Sequence, residues 1–267
     1  MRIALGVSYR GCGYQGWQSQ PSGNTVQDRL ETAIGQFAGA SLRTICAGRT
    51  DTGVHALNQV LHFDTEIARD PVSWVRGTNR YLPRDVAVQW CRFVGPHFHS
   101  RASARGRRYA YLLLESPVRP ALEWGSAGWS FRALNGPAMQ AAAQHLIGEH
   151  DFSAFRSSQC QAKSPVKTLR SVSVTQHGAY WRFDFDASAF LHHMVRNVMG
   201  CLVAVGTGSR DADWLAEILA SRDRALAAPT FSADGLYFLG PYYDAELDLP
   251  DRTPAMGWLV GTATAPE

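Results

Sequence analysis

Apolar residues alternate at the start of the chain, with Ile3, Leu5, Val7 and Tyr9 on one face, the period-two pattern of a half-buried strand. A loop rich in Gly, Pro and Ser follows to about Asn24. Thr25-Val26-Gln27-Asp28 then opens a helix in capping-box style, and Val26, Leu30, Ile34 and Phe37 lie along one side of it. Residues 43–47 and 57–64 read as strands. Asp70 before Pro71 predicts a capped helix to about Arg80, and Val86, Val88 and Trp90 alternate in a closing strand. The order is βαββαβ, the ferredoxin-like pattern.

The second half repeats that order. Residues 107–114 read as a strand, 137–146 as a helix, 169–175 and 180–186 as strands split by His177-Gly178. A long helix from Leu191 to about Val205 carries Leu191, Met194, Val195, Val198 and Leu202 at helical spacing. A further helix near 213–220 and a strand at 236–243 complete the set. The predicted fold is α+β, two tandem ferredoxin-like units forming a mixed or antiparallel sheet platform with a cleft between them. One domain spans residues 1–100 and the other 101–267, joined through about 94–104, with an irregular tail from about Ala245.

Composition adds little to this until position is considered. The 267 residues are 45% hydrophobic and 18% charged, an ordinary globular balance, and the formal net charge is only +3. Yet only Lys163 and Lys167 are lysines among 26 basic residues, leaving 24 arginines, whose planar fork suits phosphates and base edges. The first ten residues are too short and interrupted for a signal-peptide apolar region, and no apolar stretch reaches the roughly 18 residues of a membrane helix. Five widely spaced cysteines, and histidine pairs (His97 with His99, His192 with His193) that lack His-Glu-x-x-His spacing or a cysteine partner, predict neither a disulfide framework nor a metal site. The expectation is a cytoplasmic protein without membrane contact.

Two loops carry candidate chemistry. Gly11-Cys12-Gly13-Tyr14-Gln15-Gly16 matches G-x-G-x-x-G after a strand, but a dinucleotide site needs a helix opening there and an acid closing the next strand. Here a polar loop follows, and Glu31 lies inside a helix, so no nucleotide cofactor is expected. The second loop, Ala47-Gly48-Arg49-Thr50-Asp51-Thr52-Gly53-Val54-His55-Ala56, joins two strands. It reads as a hairpin turn, with Gly for positive φ and Asp for self-capping, but with more polar side chains than a turn needs.

Gly48-Arg49-Thr50-Asp51-Thr52-Gly53-Val54-His55-Ala56 resembles the signature of the tRNA pseudouridine synthase A family. Tyr14-Gln15-Gly16-Trp17-Gln18, Leu82-Pro83-Arg84-Asp85-Val86-Ala87-Val88 and Phe98-His99-Ser100-Arg101 are similar to its N-terminal motifs. Phe152-Ser153-Ala154-Phe155-Arg156, Cys160-Gln161, Phe190 to Asn197, Ala228-Pro229 and Gly235-Leu236-Tyr237 are similar to its C-terminal motifs, in order. The likeness runs from about residue 2 to 243. It implies an isomerase that converts uridine to pseudouridine in the anticodon stem-loop of tRNA, at positions 38, 39 and/or 40. The reaction consumes nothing, so no cofactor and no metal are implied. The family also implies a homodimer that holds the tRNA.

By the same resemblance, Asp51 is the catalytic nucleophile, Arg196 its ion-pair partner, and Tyr109 the ring that stacks on the target base and helps move a proton. Leu236 packs on the base from the other side, and Arg49 serves base flipping, which costs a few kcal/mol. Arg101, Arg105, Arg107 and Arg108 fall within eight residues at the domain joint and are candidate phosphate contacts, with His99, Lys163 and Lys167 as further tRNA contacts. The alternatives are a non-catalytic RNA-binding protein, for which an anion at an RNA cleft has no use, and a hydrolase using Asp51 with His55 or His62.

Overall fold

The computed structural model describes residues 1–251, and the expectation for the tail beyond them lies outside the described residues. Among the described residues two compact units are formed, one by Met1–Gly106 with residues 237–251, the other by Arg107–Leu236. Both halves are mixed α+β.

The first unit runs β1 (Arg2–Tyr9), α1 (Val26–Ala38), β2 (Ile45–Cys46), β3 (His55–Asp64), α2 (Pro71–Asn79) and β4 (Val86–Val94). β1 pairs antiparallel with both β3 and β4, and β2 pairs antiparallel with the far end of β3, Ile45 opposite His62. That is the βαββαβ order expected. Both predicted caps are made: Thr25 accepts from the Asp28 amide, and Asp70 accepts from the Ser73 amide ahead of a helix with Pro71 at its start.

β1 departs from the half-buried expectation, because Ala4 is as fully buried as Ile3, Leu5 and Val7. Its second face is covered by a cluster of Ala4, Ala47, Val60, Trp90 and Phe98, against which Tyr243, Leu247 and Leu249 pack. Gly6 makes this possible. A Cβ there would stand 2.0 Å from the Trp90 indole, whose Nε1 donates to Asn58 Oδ1 at 2.9 Å. The small residues on the outer face of β1 admit the indole rather than face water.

The second unit comprises β5 (Gly106–Glu115), β6 (Gly128–Ser130), α3 (Gly136–Gln144), β7 (Gly148–Asp151), β8 (Val166–His177), β9 (Tyr180–Ala187), α4 (Met194–Gly206) and α5 (Trp214–Ser221). β9 pairs antiparallel with β5 and β8, β7 borders β8, and β6 runs parallel to β5. β6 and β7 are absent from the pattern-based expectation. Three residues cannot display an alternation, and Gly148-Glu149-His150-Asp151 has no apolar member. α4 starts three residues later than expected, because His193 takes a left-handed conformation at φ 63° and breaks the helix there. Leu191 is buried all the same.

The last strand, β10 (Leu236–Tyr242), pairs parallel with β3, Tyr237 opposite His55 and Phe238 opposite Ala56. Among the described residues no helix is long and apolar enough to cross a membrane.

Candidate active site

Asp51 sits, half-buried, on the connection between β2 and β3. It opens a tight turn in which the Val54 amide donates to the Asp51 carbonyl at 3.1 Å. Gly53 occupies the third position with φ +83°, the conformation that a type II turn demands and that glycine supplies without strain. Upstream, the buried side-chain amide of Gln59 bonds both the carbonyl and the N–H of Gly48, and the Ala47 amide donates to the Val60 carbonyl at 2.8 Å. The upstream end of the loop is thus pinned to β3, and the turn closes just before β3 begins. Arg49 is exposed beside it.

The G-x-G-x-x-G run braces this loop. The Gly11 amide donates to His55 Nδ1 at 3.1 Å, and a Cβ on Gly11 would stand 1.9 Å from the Val54 carbonyl oxygen. Gly16, at φ +84°, would place a Cβ 2.7 Å from the Thr50 carbonyl oxygen. The glycines admit backbone against backbone, which is the physical use of glycine the motif shares with phosphate loops. Sequence reasoning missed Thr50, Gln59 and His55 as loop supports, since their partners lie between 11 and 44 residues away along the chain.

The two histidines considered as hydrolytic bases have other work. His55 is 2% exposed and its ring stacks on Tyr237 at 4.6 Å and 19°. His62 Nδ1 lies 3.0 Å from the Ser100 hydroxyl and accepts the Ser100 amide at 3.2 Å. Burial first, then His99 and Arg2, push its pKa down to about 4, against the pull of Asp64.

In the second unit Tyr109 is half-buried on β5 and meets Phe190 edge-on, with centroids 5.0 Å apart at 81°. Tyr111, two residues on, is fully buried and donates to the Ser232 carbonyl at 2.9 Å, a core residue. Arg196 on α4 is half-buried, and its Nε donates to the Phe231 carbonyl at 2.9 Å. Leu236 is 4% exposed where β10 begins.

The proposed RNA contacts differ in setting. Arg105 forms a two-pronged ion pair with Asp244 at 2.7–3.0 Å. Arg101 is exposed, with one guanidinium nitrogen 3.8 Å from Cys46 Sγ. His99 Nδ1 accepts the amides of Arg101 and Ala102, which fixes the turn carrying Arg101. Arg107 donates to the Ser188 carbonyl at 3.1 Å, and Arg108 stands opposite Asp186 in the β5–β9 register. Lys163 is exposed, whereas Lys167 donates to the carbonyls of Ser164 and Val166 and its pKa is lowered chiefly by burial.

Comparison with known proteins places these residues in a family. The sequence profile described as "tRNA pseudouridine synthase" matches residues 7–101 and 142–244. Among similar proteins, one named tRNA pseudouridine synthase A from Methylibium petroleiphilum is 71% identical over 259 residues, covering 97% of this chain and all of that protein. Proteins of the same name from Paracidovorax citrulli and Polaromonas naphthalenivorans are 62% and 61% identical, each matched over 97% of this chain and their whole length. The chain therefore belongs to the tRNA pseudouridine synthase family and is an isomerase that makes pseudouridine in tRNA.

Proposed function

We propose that the enzyme modifies uridines of the anticodon stem-loop and that Asp51 is its catalytic nucleophile. The observation that supports this most is the loop itself: Asp51 stands in a turn closed by the Val54 amide, and its upstream neighbours Gly48 and Thr50 are hydrogen-bonded to Gln59 and Tyr9 in other parts of the unit. A carboxylate so fixed, and only half-buried, is suited to attack and to answer the charge left when the glycosidic bond breaks. The reaction balances without a co-reactant: N1–C1′ breaks, C5–C1′ forms, the C5 proton leaves and N1 gains one.

In this reading Arg196 keeps Asp51 ionised, an opposite charge favouring the charged form of a carboxylate. Tyr109 stacks on the extruded uracil, a contact worth about 1–3 kcal/mol, with Leu236 against its other face. Arg49 stacks in the place the base has left. Arg101, Arg107, Arg108, Lys163 and Lys167 meet phosphates, with Arg105 and His99 holding that surface in shape, so tRNA binding weakens as salt rises. Recognition is mainly by RNA shape, because A-form grooves hide base edges. The working form is a homodimer in the cytoplasm.

The substrate reading is tested with an unmodified tRNA transcript treated with enzyme and mapped for pseudouridine nucleotide by nucleotide. Modification confined to the anticodon stem-loop supports it. Modification elsewhere, with that stem-loop untouched, rejects it.

A further inference from the structure

Thr50, between Arg49 and Asp51, is held by the strand and loop that open the chain. Its hydroxyl lies 2.7 Å from the Tyr9 hydroxyl, and its carbonyl accepts the Trp17 amide at 3.0 Å. Tyr9, Trp17 and Thr50 are 4%, 1% and 6% exposed, and the two rings touch with centroids 5.8 Å apart. Gly16 presses on the same peptide, where a Cβ would be 2.7 Å from the Thr50 carbonyl oxygen. The backbone on the upstream side of Asp51 is therefore set from β1 and its loop, independently of the turn that sets the downstream side.

We infer that the Tyr9–Thr50 hydroxyl pair is a positioning element for the reaction, fixing the direction in which the Asp51 carboxylate is presented. This rests on the reading of Asp51 as nucleophile. Neither hydroxyl needs to touch substrate, because both act through the Thr50 backbone. A catalytic group must be held to about 0.5 Å by residues that are themselves locked, and a misplacement of about 1 Å can cost 100-fold in rate. A buried hydroxyl pair one residue from the carboxylate supplies that lock, and a single atom on either partner removes it.

The experiment measures tritium release from tRNA labelled at uracil C5, with kcat and KM determined per folded molecule well below each variant's Tm. Tyr9→Phe and Thr50→Val should each lower kcat by about ten-fold, the effect of one hydrogen bond, with KM within about two-fold. Thr50→Ser, which restores the hydroxyl, should stay within about two-fold of the parent, and the double variant should be no worse than either single, as for two halves of one interaction. A purely structural pair would lower Tm and leave kcat per folded molecule unchanged, which would overturn the inference. So would multiplicative losses in the double variant, or equal losses in Thr50→Ser and Thr50→Val. If Thr50→Val does not fold, Tyr9→Phe against Thr50→Ser decides on the same terms. Asp51→Asn is run alongside. Turnover retained in Asp51→Asn defeats the nucleophile assignment itself, whereas full loss there with an unaffected Tyr9→Phe defeats only the positioning role.

Discussion

Arg196 and Phe231 are joined twice: the Phe231 amide donates to the Arg196 carbonyl at 3.1 Å, and Arg196 Nε donates to the Phe231 carbonyl at 2.9 Å. One backbone and one side-chain bond thus tie α4 to the segment after Ala228-Pro229, and the guanidinium is fixed at its Nε. Arg196→Met and Arg196→Lys both forfeit the Nε bond, so their Tm values should fall by similar amounts. Only Lys keeps the charge. If Arg196 pairs with the reacting carboxylate, kcat should drop about 100-fold or more in Arg196→Met, the scale of losing an electrostatic partner, and distinctly less in Arg196→Lys. Equal losses in folded variants would show that the charge is not what matters.

Tyr109 rests its ring edge-on against Phe190, which fixes the plane of the ring. Tyr109→Ala should weaken productive binding by roughly ten-fold or more, within the range of one lost stacking contact. Tyr109→Phe keeps the ring, so any kcat deficit it shows measures the work of the hydroxyl alone in proton transfer. Steady-state kinetics on both variants separate the two roles, and equal deficits in the two would contradict stacking as the main one.

His62 offers a prediction about stability and pH. Its pKa in the fold is about 4, below the usual 6.5, so between those values the unfolded chain binds a proton that the native protein does not. Stability must then fall as the pH drops from about 6.5 towards 4, and be insensitive to this group above that window. Thermal melts across that range should show a shallower decline in His62→Gln than in the parent, whatever the variant's offset at pH 7. Parallel curves would mean that His62 does not titrate as its burial against Ser100 and His99 requires.

The βαββαβ order of the first unit, both its helix caps and the Asp51 loop were legible because each is written in local pattern: alternation, a capping residue, a glycine where a turn needs one. Interactions across distance were not. Gly11 and Gly16 matched a motif whose nucleotide reading failed on context, yet their real neighbours, Val54 and Thr50, lie more than 30 residues on and leave no local trace. β1 looked half-buried because Ala4 and Gly6 carry little apolar weight, and only Trp90 packed over Gly6 shows why they are small. Arg105 looked like its neighbours in the arginine run until Asp244, 139 residues away, proved to be its partner. β6 and β7 are held by backbone pairing to β5 and β8, which side-chain pattern does not record.

An Asp51 nucleophile makes its carboxylate charge indispensable to turnover. The most direct measurement is release of tritium from uracil C5 of an unmodified tRNA, comparing the parent with Asp51→Asn, a variant of equal size that keeps the turn and removes the charge. The parent should release tritium and Asp51→Asn none above background, with tRNA binding and Tm close to the parent's. Tritium release by a folded Asp51→Asn at a rate near the parent's would contradict the nucleophile role.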